Sequence, residues 1–327
     1  ACATLVPVQA GYGRGMVEGL AFNRRGICAD GTICMPWFYS SEAMPLGPTH
    51  IRSMEGPFDP EVGVLCLRNE AQQPVAMLLN FACHPVNVYA TEKFAVSGDW
   101  PGAWASGMQA AYPGGCVPLV LNGCCGNLNP WPPFTPDFKP DPDRMGTALA
   151  TMSRNVIGKM TFDDASVVDW RMRRISLRYR DVPADRLREV DRILGDYPDV
   201  KWDAERGEID LQWFLAASTR SIEYCRRRWP EFPYEIQVFR IGDAAVVGLP
   251  GEPFVEGQLE IKAGAPAALV QVAHMSTHYV GYIPTRAAAA RGGHEASEIC
   301  TYWSKLAPDS LDIIVRNVKS MMKELFP

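Results

Sequence analysis

The sequence predicts an α/β fold, in which a mixed β-sheet core is flanked by helices and a polar site lies at the strand ends. Two apolar runs, Val75–Ala82 and Val117–Leu121, have the length and composition of buried strands. Each run ends abruptly in small and polar residues, and a helix-like segment, Pro101–Tyr112, lies between them. Polar groups gathered where buried strands end are the usual layout of an α/β active site.

Composition excludes several classes of function. The chain has 327 residues, of which 47% are hydrophobic and 21% are charged, as in ordinary globular proteins. The formal net charge is -5 and the main basic cluster is Arg226-Arg227-Arg228, so nucleic acid is not expected as a partner. No apolar run approaches the ~20 residues needed to cross a bilayer, so no transmembrane segment is expected.

The ten cysteines show no paired CxxC spacing, and several of them lie inside apolar runs. This pattern favours buried free thiols and a reducing, cytoplasmic compartment, while a secreted protein whose signal peptide was removed stays open. The adjacent Cys124-Cys125 is interpreted as a pair of small residues packed at a strand end rather than as a redox pair. Residues 1–60 are rich in glycine and proline, which predicts irregular structure laid over a sheet.

The remaining segments are interpreted as scaffold within one domain, 1–327, that contains a helical pair over 181–230. We expect an upstream segment of the same protein before Ala1, because Ala1–Val8 resembles the middle of a domain. The further predicted elements are a hairpin of Glu61–Arg68 with Val75–Ala82, a helix over Asp141–Lys159, a strand over Ser166–Tyr179, helices over Pro183–Leu194 and Ile209–Arg228, a hairpin over Glu235–Gly248 that turns at Gly242-Asp243, a strand over Ala268–Val272 and a helix over Ser310–Leu325.

Three candidate ligands lie on separate loops that follow apolar strands. His84 precedes Pro85, which keeps its backbone extended. Glu252 ends the hairpin region, and Tyr282 lies in a glycine-rich loop that also holds His274, His278 and His294, a density typical of functional loops. Zinc takes such nitrogen and oxygen donors, but a lone histidine at a strand end is more often a hydrogen-bonded core residue.

Compact catalytic signatures are absent from the sequence. It contains no HExxH or His-x-His pair, no GxSxG elbow and no P-loop. Asp99 is predicted to cap the helix over Pro101–Tyr112, and Ser97 offers a hydroxyl near the same strand ends. Trp131 begins a stretch rich in proline and aromatic residues whose rings cover either core or a pocket mouth. We predict that Ser97, Asp99 and Trp131 contact the substrate.

Five motifs carry a family resemblance when they are taken in order. They read FACHPV, VSGDWPG, LNGCCGNLNP, LPGEPF and HYVGYIPT. Together they resemble the catalytic domain of neutral ceramidases, from about Phe22 to Leu311. The resemblance implies an enzyme that hydrolyses the amide of an N-acyl sphingoid and that holds zinc through two histidines, a glutamate and a tyrosine.

Carried over motif by motif, the resemblance implies that His84, Glu252 and Tyr282 are zinc ligands and that Arg24 steadies the scissile carbonyl. The family's other zinc histidine lies in a His-Thr-His segment that would precede Ala1, so we expect the upstream segment to supply it. Asn129 stands where the family has its nucleophilic serine, and His294 stands where a tyrosine contacts the substrate amide.

These departures change the expected chemistry. An asparagine amide is no nucleophile, so water activated by the metal is the expected attacker, with Arg24 and His294 stabilising the oxyanion. His294 could also protonate the leaving amine. The sequence thus predicts a zinc-dependent amide hydrolase that acts on a small or lipid-like substrate. Two alternatives stay open: a non-catalytic binding protein with a degraded metal site, and a metal-free serine hydrolase that uses Ser97.

Overall fold

The computed structural model describes residues 5–36, 49–92, 94–135, 137–164, 167–296 and 300–327. It confirms the predicted fold class, since mixed sheets form the centre and helices cover them. Among these residues, none of the helices combines the length and the apolar character that a membrane span requires.

Most predicted strands and helices are present, with ends that differ by a few residues. The strands are β1 (Gln9–Met16), β2 (Phe22–Asn23), β3 (Gly26–Cys28), β4 (Ile33–Cys34), β5 (Ile51–Met54), β6 (Glu61–Arg68), β7 (Pro74–Phe81), β8 (Val117–Asn122), β9 (Leu128–Asn129), β10 (Phe162–Asp163), β11 (Val168–Arg178), β12 (Trp202–Asp203), β13 (Glu208–Ile209), β14 (Glu231–Ile241), β15 (Ala244–Gly248), β16 (Glu252–Pro253), β17 (Leu269–Ala273) and β18 (Tyr282–Ile283). The helices are α1 (Asn87–Thr91), α2 (Asp99–Ala111), α3 (Pro142–Ile157), α4 (Ala184–Asp196), α5 (Leu211–Arg228), α6 (Val255–Lys262), α7 (Arg286–Arg291), α8 (Ser310–Leu325) and a short 3-10 helix over His294–Ala296.

The first large sheet has the strand order β10-β1-β6-β7-β8. Alternate side chains of β6 and β7 point to opposite faces, and both faces are apolar because both are covered. On one face, Val64 and Leu79 pack with Trp100 and Trp104 of α2, against which α3 also packs. On the other face, Leu65 packs against strands of the second sheet.

The second large sheet has the order β11-β14-β15-β17 and carries α8 on its outer face, where Val247 and Ile314 share one core. Its inner face meets the first sheet, so the molecule is layered as helix, sheet, sheet and helix. Asn80 joins the two sheets, because its side-chain amide donates to the carbonyls of Leu121 and Val272 at 2.6 and 2.8 Å.

Each large sheet contains one parallel pair, and these pairs determine where the polar loops meet. Strands β7 and β8 run parallel with Phe81 opposite Asn122, and β15 and β17 run parallel with Gly248 opposite Ala273. The carboxyl ends of parallel strands lie at the same edge, so the loops that follow these four strands come together there. The amide N–H of His274 donates to the Asn122 carbonyl at 3.0 Å, which ties the two edges to each other.

The prediction of irregular structure over residues 1–60 is wrong for its first part. Residues Gln9–Met16 form β1, an inner strand of the first sheet. The glycines are not turn signals here, because α3 and β10 lie directly on the strand backbone. A Cβ atom at Gly11 would lie 2.8 Å from the Phe162 ring, and one at Gly13 would lie 2.9 Å from Val156. Residues 37–48 of that region lie outside the described residues.

Smaller differences concern ends and caps. The predicted strand over Ser166–Tyr179 is observed as β11, and Ser166 lies outside the described residues. The predicted hairpin begins earlier, at Glu231, and turns at Gly242-Asp243 as expected. Asp99 does not act as the N-cap of α2, because the helix begins at Asp99 itself and Gly98 is the cap residue. Helices α4 and α5 lie within 181–230 and pack on each other.

Candidate functional site

Glu252 and Tyr282 come together through a short parallel ladder. Strands β16 and β18 pair so that Glu252 lies directly opposite Tyr282. Side chains of directly opposed residues project from the same face of a ladder, which places the carboxylate beside the phenol. Both side chains are buried, and no periodicity in the sequence predicts so short a pairing between positions thirty residues apart.

His84 reaches the same place from the end of β7. Its Nε2 lies 2.9 Å from Oε2 of Glu252, and its Nδ1 lies 2.8 Å from the carbonyl oxygen of Leu128. Both ring nitrogens therefore face acceptors, whereas a neutral imidazole has only one N–H to donate. The bond to Leu128 is of the kind that orients a metal-binding histidine.

The carboxylate of Glu252 is held in its charged form. Burial alone would raise the pKa of Glu252, but the hydrogen bond and the charge of His84 outweigh it, so the pKa lies below its ordinary value. The Tyr279 hydroxyl also donates to Glu252, and burial together with this bond raises the pKa of Tyr279. Burial likewise raises the pKa of Tyr282, although the nearby Arg24 opposes it.

Arg24 lies beneath Tyr282 in a buried network of charges. Its Nε donates to Oε1 of Glu295 at 2.6 Å, and one terminal nitrogen donates to the Gly126 carbonyl at 2.8 Å. The other terminal nitrogen makes a longer bond of 3.3 Å to Oδ1 of Asn129. The guanidinium also lies over the Tyr282 ring, 5.2 Å from its centre. Arg24 is thus a fixed cation with one weakly bonded N–H.

Glu295 supports this cation and was not predicted from the sequence. It lies between Arg24 and Arg25, and Nη1 of Arg25 donates to its Oε2 at 2.7 Å. Burial raises the pKa of Glu295, but the two arginines reverse the shift and leave the pKa below its ordinary value. Its neighbour His294 in the 3-10 helix stacks on Tyr282 at 5.7 Å between ring centres. The only signal in the sequence was an acidic residue within an Ala- and Gly-rich loop.

These side chains surround one cavity of about 340 Å³. Six of the nine predicted site residues line this cavity, and apolar residues complete its wall. The lining residues are Arg24, Met35, His84, Val86, Tyr89, Asn129, Trp131, Tyr282 and His294. A larger hollow of about 560 Å³ lies between β1 and α3, away from this chemistry.

The structure places Ser97 and Asp99 elsewhere, and neither is among the residues that line the cavity. The Asp99 carboxylate accepts from the Asn87 side chain at 2.9 Å and from the Val88 backbone N–H at 2.8 Å. It therefore caps α1, which carries Tyr89 of the cavity wall. Ser97 is exposed, and its hydroxyl accepts from the backbone N–H of Asp99 at 3.0 Å.

Cys124 and Cys125 are fully buried free thiols at the end of β8. Burial raises the pKa of Cys125 well above its ordinary value, so the reactive thiolate form is scarce. His274 lies against Cys125, with 3.8 Å between Nε2 and the sulfur. Burial and the charge of His84 lower the pKa of His274 to about 4, so its ring is neutral near pH 7.

Comparison with solved structures places the fold among ceramidases. One match is the neutral ceramidase from Pseudomonas aeruginosa, with a TM-score of 0.66 and 17% sequence identity. Another is a ceramidase complexed with C2, with a TM-score of 0.64 and 17% identity. Both alignments cover 100% of this chain, which spans about half of each partner, 53% and 55%. This chain has a ceramidase-like fold, as the motif resemblance predicted.

Comparison at the level of sequence gives no such link. No family model matches the chain, and no curated protein matches it. The likeness shown by these comparisons is therefore one of fold.

Proposed function

We propose that this chain is the catalytic part of a zinc-dependent hydrolase that cleaves the amide bond of an N-acyl substrate. The observation that carries the proposal is the pairing of Glu252 with His84 and Tyr282, two residues in the wall of one cavity. The Leu128 carbonyl accepts from Nδ1 of this half-buried ring, which is how a metal-binding histidine is oriented, and an ion would engage Nε2 together with the Glu252 carboxylate.

The donor set suits zinc. One imidazole nitrogen, one carboxylate and one phenol are ligands that zinc accepts, and catalytic zinc sites use three protein donors or more with a position left for water or substrate. Bound zinc would polarise the amide carbonyl and lower the pKa of water. Tyr279 and the Leu128 carbonyl would hold Glu252 and His84 in orientation.

Arg24 would bind the substrate carbonyl. Its 3.3 Å bond to Asn129 is longer than its bonds to Glu295 and Gly126, so a substrate oxygen could replace the amide oxygen at little cost. Glu295 and the Gly126 carbonyl keep the guanidinium in place throughout. A fixed cation of this kind stabilises the charge that develops on the oxygen during attack.

His294 would act chiefly as a hydrogen-bond donor. Burial lowers the pKa of His294, although Glu295 opposes the shift, so the neutral ring prevails near pH 7. A neutral imidazole offers one N–H to the carbonyl or to the leaving group. Asn129 can orient the substrate amide but cannot form an acyl ester, so we propose single-step hydrolysis without a covalent intermediate.

The cavity favours substrates smaller than a full ceramide. Its 340 Å³ lies at the lower end of the range for small-molecule sites, and Met35, Val86 and Tyr89 offer an apolar wall to a short acyl chain. Ser97 and Asp99 act indirectly in this proposal. Ser97 accepts a hydrogen bond from Asp99, and the Asp99 carboxylate fixes the start of α1, which carries Tyr89. Trp131 is proposed to contact the acyl group.

The test is metal content and turnover measured together. The protein is expected to carry zinc and to release fatty acid from an N-acyl amide, with both lost in Glu252→Gln and His84→Ala. His278→Ala is the matched control. This exposed histidine lies in the loop that leads to Tyr282, but its ring packs on Phe232.

Two outcomes would replace the proposal. Folded protein without metal or turnover would favour a binding protein that retains only the shape of the site. Turnover that survives chelation, together with labelling of Ser97 by a fluorophosphonate, would favour a serine hydrolase.

A further inference from the structure

A second group of potential metal ligands lies on the small sheet β4-β3-β5. It consists of Cys28, Cys34 and His50, whose ligand atoms all lie within 4.8 Å of one another. The Cys34 sulfur is 3.6 Å from Nε2 of His50. Cys28 is buried, Cys34 is half-buried and His50 is exposed, so the group opens to solvent on one side.

The strand register explains why these three residues converge. Strands β3 and β4 pair with Gly26 opposite Cys34, and Cys28 follows two residues later on the same face. Gly26 has no side chain, and Ile51 fills the space beside it, 2.9 Å from where a Cβ atom would lie. On the other side of β3, Ile51 lies opposite Cys28, which places His50 at the strand end.

The turn between the cysteines is well defined. Asp30 accepts hydrogen bonds from the backbone N–H and the hydroxyl of Thr32, at 3.0 and 2.6 Å. The backbone N–H of Ala29 donates to the His50 carbonyl at 3.0 Å, which joins the turn to β5. The backbone therefore holds the three ligands near one another before any ion binds, which lowers the entropy that binding must overcome.

We propose that Cys28, Cys34 and His50 bind a zinc ion, at a site distinct from the cavity and independent of the proposed hydrolase activity. Two thiolates and one imidazole suit zinc, whereas magnesium and calcium prefer oxygen ligands. Three donors come from the part of the chain that the structure describes, and a tetrahedral ion takes one ligand more.

The ligand spacing differs from the familiar zinc motifs. Five residues separate the two cysteines, and fifteen residues separate Cys34 from His50. Common structural zinc sites place two to four residues between paired cysteines. A search for such pairs therefore finds nothing, and only the strand register brings these side chains together.

The site would stabilise one wall of the cavity. Met35, which lines the cavity, directly follows Cys34. Ile33 packs on the loop before His294, where a Cβ atom at Gly293 would lie 2.8 Å from Ile33. A metal that joins β3, β4 and β5 would hold both contacts, so its role is structural.

The test uses Co(II) as a spectroscopic substitute for zinc. Co(II) bound to thiolates gives an intense near-ultraviolet charge-transfer band, which histidine and carboxylate ligands do not give. Reduced, metal-stripped protein is expected to show this band on addition of Co(II), and zinc is expected to abolish it by displacement. The band should be lost in Cys34→Ser and weakened in His50→Ala, where the side chain removed is exposed and leaves the core packing intact.

Control variants separate this site from the cavity. The band should persist in the double variant His84→Ala and Glu252→Gln, which removes the proposed catalytic ligands, and in Cys225→Ser, which removes a half-buried cysteine elsewhere. Folded wild-type protein without a thiolate band would overturn the proposal. So would a Cys28–Cys34 disulfide in protein alkylated directly in cells, or a band that disappears only in the double variant.

Discussion

The two groups of candidate ligands differ in how the chain brings them together. His84, Glu252 and Tyr282 come from loops far apart in sequence and meet in a buried place, where each is held by further partners. Cys28, Cys34 and His50 lie within one small sheet and are partly open to solvent. A buried site built from long-range contacts depends on the whole fold, whereas a local site depends mainly on a hairpin. The following predictions test this difference.

The largest expected effect is on stability and concerns Glu295. Glu295→Ala leaves the guanidinium groups of Arg24 and Arg25 buried without their shared carboxylate. Breaking a buried ion pair from one side typically costs about 3–5 kcal/mol of unfolding free energy. Urea denaturation followed by circular dichroism measures the loss. Glu324→Ala is the control, since this carboxylate pairs with Arg173 at the surface and its removal should leave the midpoint almost unchanged. Equal midpoints for the two variants would contradict the buried network.

The next effect distinguishes the two proposed metal sites. Tyr279→Phe removes a hydrogen bond to Glu252 without touching the cysteine group. Loss of a group that orients a metal ligand lowers metal affinity by roughly 10–100-fold. Competition with a chromogenic chelator should therefore detect weaker zinc binding at the cavity, while the Co(II)–thiolate band stays unchanged. Tyr302→Phe is the control, because its ring packs on Tyr279. Unchanged affinity in Tyr279→Phe would exclude this supporting role.

A pH effect is expected from His274. The pKa of this histidine is lowered from 6.5 to about 4, so between these values the unfolded chain binds a proton that the folded chain does not. Its contribution to stability is therefore complete above pH 6.5 and is lost as the pH falls towards 4. The slope from one such proton is at most about 1.4 kcal/mol per pH unit.

Unfolding free energies measured across this pH range test the prediction. His274→Gln should flatten the slope between pH 6.5 and 4, whereas His278→Gln, at an exposed position, should leave it as it is. Parallel curves for wild type and His274→Gln would show that the buried ring does not titrate in this way.

The smallest expected effect is on substrate binding, where the cavity wall adjoins the group of Cys28, Cys34 and His50. Met35→Ala removes part of the apolar cavity wall beside Cys34. Each buried methylene contributes about 0.8 kcal/mol, so KM for a medium-chain N-acyl amide should rise by roughly threefold to tenfold, with kcat little changed. Met172→Ala is the control, because this exposed methionine lies on β11 and does not line the cavity. A fall in kcat alone would mean that Met35 acts on the reaction and not on acyl binding.

Much of the fold was predictable because apolar periodicity records burial. The strands β6, β7, β8 and β17 were recognisable as apolar runs, and the hairpin turn at Gly242-Asp243 has its own signature. Strand β1 was missed because its glycines, read as turn signals, are sites of close packing with α3. Local composition does not distinguish a glycine needed for a turn from one needed for close approach.

The candidate site was likewise predictable only in part. His84, Glu252 and Tyr282 were named because each ends an apolar segment and matches a family motif, and the structure brings them together, although their roles stay predictions. Glu295 was missed, since its importance comes from two arginines that lie about 270 positions away. Asp99 was expected to cap its own helix, but its carboxylate bonds to the start of α1.

The sequence by itself determined the fold class, the order of the main elements and the loops that carry chemistry, because these follow from local patterns of burial and from ordered motifs. Only the tertiary structure decided which loops meet. Parallel pairing aligned the ends of β7 with β8 and of β15 with β17, and it set Glu252 opposite Tyr282. It also placed Cys28 and Cys34 on one face of a hairpin. Distances of a few ångströms between remote residues arise from the register of strands, and the register depends on packing across the whole molecule.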